Sequence, residues 1–219
     1  MVTTVLIIDD HEIVRIAVRY KLQSMAMVKV VGEAANGTEG LRLAKELNPD
    51  IIFMDILMPG VDGIETARKI LAYHPGIKII ILSKVQTYLY PSYLLKMGVA
   101  AYLSKNCTPE EMFTAVRNVI AGKRYVSPVI TKRLALKSMG SRQKIAASFD
   151  LLSLRELQIA LQLIEGKEIN TIADVLHLSP QTVRVHRDRI FEKLNIRSSV
   201  ALILLAKELG YLEEISLLA

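Results

Sequence analysis

Five polar side chains stand at the ends of apolar runs. Val5-Leu6-Ile7-Ile8 ends in Asp9-Asp10, and Ile51-Ile52-Phe53-Met54 ends in Asp55. Ile79-Ile80-Ile81-Leu82 leads to Ser83, and Val99-Ala100-Ala101-Tyr102-Leu103-Ser104 leads to Lys105. If each run is a buried parallel strand, all five groups meet at the carboxyl edge of one sheet, where open α/β sheets bind ligands. Three carboxylates that close repel one another unless a cation sits among them, and an all-oxygen donor set suits Mg²⁺. An acid pair, a single acid, a hydroxyl and a lysine, in that order, read as a phosphoryl-accepting aspartate with its metal and charge clamp. Asp55 supplies the nucleophilic carboxylate, while Lys105 and Ser83 engage phosphoryl oxygens.

The elements that must place these groups follow from the periodicity. Over the first 122 residues, β-type apolar runs alternate with helical periods, the pattern of a parallel sheet covered by helices. Strands are expected at 4–9, 28–34, 50–54, 78–82 and 99–103, and helices at 11–25, 38–47, 63–73, 86–96 and 109–121. The last helix is well marked by Thr108 as cap, Pro109 in the first turn, Glu111 closing a capping box and Gly122 after the end. Residues 123–148 read as a basic linker with a short helix from Ser127-Pro128, and Gly140-Ser141 within it as a flexible stretch. From residue 149 onward the pattern is all helical. Ser153 with Glu156 opens a helix that stops at Gly166. A short helix with Ile172, Ala173 and Leu176 inward follows, then a turn at His177-Leu178. Ser179-Pro180 begins a third helix through Lys193, and Ser198 begins a fourth. A short helix, a tight turn and a longer helix with exposed arginines is a helix-turn-helix pattern.

Bulk properties narrow the class. The chain has 219 residues, about half of them apolar, enough for two small cores. No apolar run approaches the ~20 residues a membrane helix needs, and no signal peptide is expected. One cysteine, Cys107, excludes an intrachain disulfide and fits a reducing cytoplasm. The net charge of +6 is concentrated: residues 123–150 carry seven basic residues against one acidic, whereas residues 1–122 carry thirteen against twelve. Global charge is therefore a weak argument for nucleic acid, and the local pattern must carry it.

Together these residues resemble a two-component response regulator of the NarL/FixJ family, which pairs a receiver domain with a LuxR-type helix-turn-helix. The receiver likeness rests on Asp9-Asp10-His11, Asp55 with Met58-Pro59-Gly60 and Asp62-Gly63, then Ser83, Tyr102 and Lys105. The C-terminal likeness rests on Leu152-Ser153-x-Arg155-Glu156, Ile172-Ala173, Ser179-Pro180-x-Thr182-Val183-Arg184-x-His186 and Ile190-x-x-Lys193-Leu194. Seven fragments in order across two domains are specific where any one is not. The linker Gly122-Lys123-Arg124-Tyr125-Val126-Ser127-Pro128, with Phe149-Asp150, is similar to the GacA/UvrY/LetA branch. That branch answers a hybrid sensor kinase and activates small regulatory RNAs that titrate a translational repressor.

The resemblance implies a doubly wound five-stranded parallel sheet, order 2-1-3-4-5, over residues 1–122 and a four-helix LuxR-type domain over 149–219. It implies Mg²⁺ ligated by Asp10 and Asp55 directly, by Asp9 through water and by the Leu57 backbone carbonyl. Ser83 drawn toward a phosphate vacates space into which Tyr102 turns, a packing switch biased by added charge. Leu57 and Val85, both apolar, leave nothing to orient an attacking water, so slow self-hydrolysis is expected. Tyr88, Tyr90, Pro91 and Tyr93 form either a dimer or kinase contact or ordinary loop packing. In the second domain, Thr182, Arg184, Val185, Arg187, Asp188, Arg189 and Lys193 are the candidate double-stranded DNA contacts. Arg184 is set to bind guanine, Val185 to pack on a thymine methyl, and Arg187, Arg189 and Lys193 to hold phosphates. Asp188 either accepts from cytosine or orients Arg184. Ile169-Asn170-Thr171 departs from the polar run common in relatives and puts backbone contacts there in doubt. The basic linker acts as a tether or touches phosphates. The expected partners are a cognate sensor kinase, DNA and a second copy of the chain once phosphorylated, with no membrane.

Two other functions compete. A metal-dependent phosphatase of the haloacid-dehalogenase type needs a second Asp two residues after the nucleophile, where Leu57 stands. A constitutive DNA-binding protein would use the first domain only to dimerise, against which the intact acid pair and Lys105 argue.

Overall fold

The computed structural model describes residues 2–56, 58, 63–83, 89–137, 149 and 151–208. The chain divides after Thr131 into two units. In the first, apolar strand runs and amphipathic helices alternate: β1 (Thr3–Ile8), α1 (Glu12–Gln23), β2 (Val28–Ala34), α2 (Gly37–Leu47), β3 (Ile51–Asp55) and α3 (Gly63–Tyr73). β4 (Lys78–Ser83), α4 (Leu89–Met97), β5 (Ala101–Ser104), α5 (Pro109–Ile120), β6 (Tyr125–Val126) and α6 (Pro128–Lys137) follow, α6 crossing the division. The strands pair in the order β2-β1-β3-β4-β5-β6, all parallel. The expected order 2-1-3-4-5 is present, and a sixth, two-residue strand extends it from the stretch read as linker.

Strand alternation sorts the core into two faces. Val5, Ile7, Ile51, Phe53, Ile80, Leu82, Ala101 and Leu103 pack with α1 and α5 through Val18, Leu22, Met112, Val116 and Val119. Ile8, on the opposite face, meets α2 at Gly40, where an added Cβ would lie 2.6 Å from the isoleucine side chain. Buried on both faces, these strands read as continuous apolar runs, which is why their ends were legible.

The second unit is helical: α7 (Leu154–Ile164), α8 (Ile169–Leu176), α9 (Pro180–Leu194) and α10 (Ser199–Glu208). Ser153 caps α7 in a full capping box with Glu156. α8 ends at His177 in the left-handed region, φ 51°, which makes the sharp turn into α9. Ser179 then caps α9, accepting from the Thr182 N–H at 3.0 Å. Ile172, Ala173, Val183, Ile190 and Leu202 are buried between these helices.

Candidate functional site

Because β1, β3, β4 and β5 are neighbours in parallel register, their carboxyl ends deliver Asp9, Asp55, Ser83 and Lys105 to one place. Asp55 closes β3 opposite Leu82, and Ser83 closes β4 opposite Ser104. The Lys105 N–H then donates to the Ser83 carbonyl at 3.0 Å, which sets the lysine at the mouth of the site. Asp9 and Asp55 are buried, at 2% and 3% exposure.

Lys105 Nζ lies 2.6 Å from Asp55 Oδ2 and 2.7 Å from Asp9 Oδ2, so one ammonium compensates two carboxylates. The Asp55 contact is a well-aligned hydrogen bond, whereas the Asp9 contact is ionic but off the ideal hydrogen-bond direction. Burial alone would push the Lys105 ammonium down; the two aspartates outweigh it and hold the group above its ordinary value. Asp10 is turned differently. Its Oδ1 meets His11 Nδ1 at 2.7 Å, and the His11 N–H donates to Asp9 Oδ1 at 2.9 Å. Arg15 Nη1 donates to the Asp9 carbonyl at 2.8 Å, tying the loop to α1.

Donor atoms of Asp9, Asp10, His11 and Asp55 all lie within 4.8 Å of one another. Three carboxylates there, one with an oxygen lacking a well-directed donor, fit a hard divalent cation such as Mg²⁺. The Leu57 carbonyl and Val85, expected beside the phosphate, lie outside the described residues, as do Tyr88 and the Tyr90 side chain. Ser83 and Tyr102 are both fully buried, on the neighbouring strands β4 and β5. Burial chiefly pushes the Tyr102 phenol well above its ordinary range, with Ser83 opposing and Asp55 adding. Tyr102 faces inward in this structure.

Two residues quoted in the motifs without a role take part. His11 is one; it follows the acid pair directly, which was the available signal. Gly63 is the other. A Cβ there would lie 2.0 Å from the Asp55 carbonyl oxygen and 2.8 Å from Ile56 Cα, so only glycine lets α3 start against the end of β3. Gly63→Ala is expected to destabilise the first unit by about 1–3 kcal/mol through overpacking. Urea unfolding checks it, and a variant as stable as wild type would contradict the close approach.

In the second unit, α9 buries Val183, Ile190 and Leu194 and leaves Arg184, Val185, Asp188 and Arg189 exposed. Four of the expected DNA contacts, Thr182, Arg187, Asp188 and Lys193, have partners within the unit. Arg187 donates to Asp188 at 3.0 and 2.8 Å and sits over the Phe191 ring at 5.9 Å. Asp188 therefore pairs with its chain neighbour Arg187, which neither of the two roles expected of it, a cytosine contact or orientation of Arg184, had named. Lys193 Nζ donates to Glu156 Oε2 at 2.6 Å, clamping α9 to the start of α7. The lysine itself is 39% exposed, so its ammonium is paired with Glu156 at the surface of the unit. Thr182 shares its hydroxyl with Ser179 at 2.8 Å, within the cap of α9. Burial holds His186 below the ordinary histidine value, with Glu156 opposing and Arg189 and Arg155 adding. Lys167, Asn170, Arg184 and Arg187 line a cleft of about 380 Å³ at the start of α8.

A model of the response regulator receiver domain matches residues 5–117, and one of bacterial regulatory proteins of the luxR family matches residues 150–206. The chain is 45% identical over 209 residues to the response regulator GacA of Pseudomonas viridiflava, covering 95% of this chain and 97% of that one. It is 40% identical over 202 residues to the response regulator UvrY of Escherichia coli strain K12, covering 92% of each. Among solved structures it resembles RcsB of Salmonella enterica serovar Typhimurium bound to promoter P1flhDC in the presence of phosphomimetic BeF3-. That likeness has 26% identity and a TM-score of 0.61, covering 93% of this chain and 97% of that one.

Proposed function

The chain belongs to the response regulators that join a receiver domain to a luxR-family DNA-binding domain, and from that premise we propose that Asp55 is the residue whose phosphorylation switches its DNA binding. The protein is a phosphorylation-activated, DNA-binding response regulator of a two-component system. The observation that carries the assignment to Asp55 is its buried carboxylate held 2.6 Å from Lys105 at the meeting point of four strand ends. A carboxylate so placed has a cation ready for a phosphoryl oxygen, and Ser83 stands at the end of the adjacent strand to donate to another. Asp9, Asp10 and Asp55 would hold Mg²⁺, which when bound neutralises charge on the phosphoryl oxygens. Nothing in this chemistry calls for a catalytic turnover of the chain's own; the kinase supplies the phosphoryl group.

The surface supports the expected partners. Ile13, at 81% exposure, and Tyr20, at 77%, lie with Ile16 on one face of α1 beside the acid pair, a surface for the sensor kinase. Val200 and Leu204, at 65% and 56%, are the exposed apolar residues of α10 on which two copies would pair. Among the described residues, no helix is long and apolar enough to cross a membrane. Both the phosphodonor and the DNA are cytoplasmic, which is where this reading places the protein. RcsB is bound to a promoter in its structure, and in this reading DNA is likewise the ligand here; α9 would enter the major groove and a backbone phosphate would sit at the cleft of Lys167, Asn170 and Arg184.

Arg184 and Lys193 separate the roles. Arg184→Ala is expected to cost about 1–3 kcal/mol of DNA affinity and relax base preference at one position. Lys193→Met is expected to leave the salt dependence of binding unchanged, because that ammonium is committed to Glu156. Titration against salt checks both; a shallower slope for Lys193→Met would return that lysine to the phosphates.

The acceptor assignment is tested by intact-mass measurement after incubation with acetyl phosphate and Mg²⁺. Wild type gains one phosphoryl group and Asp55→Asn gains none; an Asp55→Asn chain modified as fully as wild type overturns the assignment.

A further inference from the structure

α2 and α3 pack side by side in the first unit and leave a hollow of about 500 Å³. Leu41 and Lys45 of α2, Lys69, Ile70 and Tyr73 of α3, and His74 just past α3 line it. Positions 41 and 45 are one turn apart on α2, and 69, 70 and 73 share one side of α3, so helical spacing builds both walls. Ile70 is buried and Leu41 half-buried, which makes the floor apolar, whereas Tyr73 stands 78% exposed. The volume lies within the ~300–1,000 Å³ of pockets that hold small molecules. His74 precedes β4 by only a few residues, so the hollow sits towards the amino edge of the sheet, away from Asp55 at the carboxyl edge.

The charges around this hollow do not cancel. Lys45 has no ion-pair partner among the described residues, and the adjacent Glu46 is taken by Arg42 at 2.8 Å. Lys69 reaches Glu65 only at 3.6 Å, and Arg68 already holds that carboxylate with two hydrogen bonds at 2.7 and 2.8 Å. Tyr73 and His74 also border a second hollow, whose one acid, Asp50, accepts from the Thr4 N–H and hydroxyl at 2.7 and 2.8 Å. Every carboxylate near the two ammonium groups is therefore engaged elsewhere or distant. Lysine stems lie along apolar surface while their heads stay in water, so both heads can meet an anion at the opening.

We propose that the hollow between α2 and α3 is a binding site for a small anionic amphiphile, an apolar chain or ring body ending in a carboxylate. The body rests on Leu41, Ile70 and the Tyr73 ring, and the carboxylate lies between Lys45 and Lys69. Burial of the body supplies the affinity, and the two ammonium groups supply the preference for an anion. An inorganic anion leaves the floor unfilled, and a neutral hydrocarbon leaves the ammonium groups unmet. The site shares no residue with the acid site, so it stands apart from the reading of Asp55.

The test is a titration of the full chain with decanoate, below its micelle concentration, followed through the methyl signals of Leu41 and Ile70. Saturable shifts are expected with a dissociation constant below about 1 mM. Decanol, which keeps the chain and lacks the charge, and acetate, which keeps the charge and lacks the chain, are each expected to bind at least about tenfold more weakly. Lys45→Glu with Lys69→Glu is expected to weaken decanoate at least about tenfold, while Lys132→Glu, at an exposed lysine of α6, leaves it unchanged. The methyl spectrum without decanoate reports whether the double variant keeps its fold; if it does not, Lys45→Glu alone, at an exposed position, is expected to lose about threefold. Absence of saturable shifts at Leu41 and Ile70 overturns the site, as do shifts confined to the exposed apolar residues of α1 or α10. Decanol binding as tightly as decanoate overturns the anionic class, and so does wild-type affinity in the folded charge-reversed chain.

Discussion

Lys105→Met is expected to lower the stability of the metal-free first unit by about 3 kcal/mol and to enlarge the stabilisation that Mg²⁺ provides. The lysine is the cation shared by Asp9 and Asp55, whose side chains are almost fully buried, at 2.7 and 2.6 Å. Removing it leaves two uncompensated carboxylates facing one another in a medium where charge is poorly screened. A divalent cation then has more to offer, because it meets bare anions where the wild type presents an ion pair. Folding also holds the lysine above its ordinary value, so this stabilisation is fully present below that value and is lost as pH rises through the higher one. Urea unfolding in chelator and in millimolar Mg²⁺ reads both effects. A variant as stable as wild type in chelator, or no more responsive to Mg²⁺, would show that Lys105 is not the counter-ion of the acid site.

The second large effect belongs to Glu156. Its buried carboxylate accepts from the Ser153 N–H and from Lys193, each at 2.6 Å. One side chain thus closes the cap of α7 and anchors α9. Glu156→Ala is expected to destabilise the second unit by about 2–3 kcal/mol, combining a lost cap with a lost charge-assisted bond. Burial raises the Glu156 carboxyl, but Lys193 and Ser153 outweigh it and hold the group below its ordinary value of 4.5. For a depressed carboxyl the stabilisation is present above the unfolded-state value and is lost as pH falls through the folded one. The gap between wild type and Glu156→Ala should therefore close as the solution is acidified below about pH 4. Unfolding monitored across pH tests this, and a gap that stays constant into strong acid would remove the ionic clamp from the account.

The acid site was legible because each of its groups follows an apolar run that fills a strand, and parallel strands bring their ends together. The helix-turn-helix was legible from Ser153, Gly166 and Ser179, whose capping chemistry marks helix ends locally. β6 was not, since Tyr125-Val126 is too short to display a period and sits in a stretch of basic residues. The Lys193–Glu156 contact spans 37 positions and brings an exposed-looking lysine to a carboxylate that local rules assign to a cap. The Asp188 partner was not legible: helical spacing offered Arg184 and a base edge, whereas the Arg187 guanidinium, lying over Phe191, reaches its chain neighbour. Gly63 carries no positive φ; its need for glycine comes from the Asp55 carbonyl, which only the fold brings near.

The central claim, that phosphorylation of Asp55 gates DNA binding, is tested most directly by one titration on a duplex enriched from a random pool. Wild type and Asp55→Asn are each measured with and without acetyl phosphate and Mg²⁺. The account predicts that only the wild type gains affinity with the phosphodonor. Equal binding by both chains under all conditions would contradict it, leaving a DNA-binding protein whose first unit does not control its affinity.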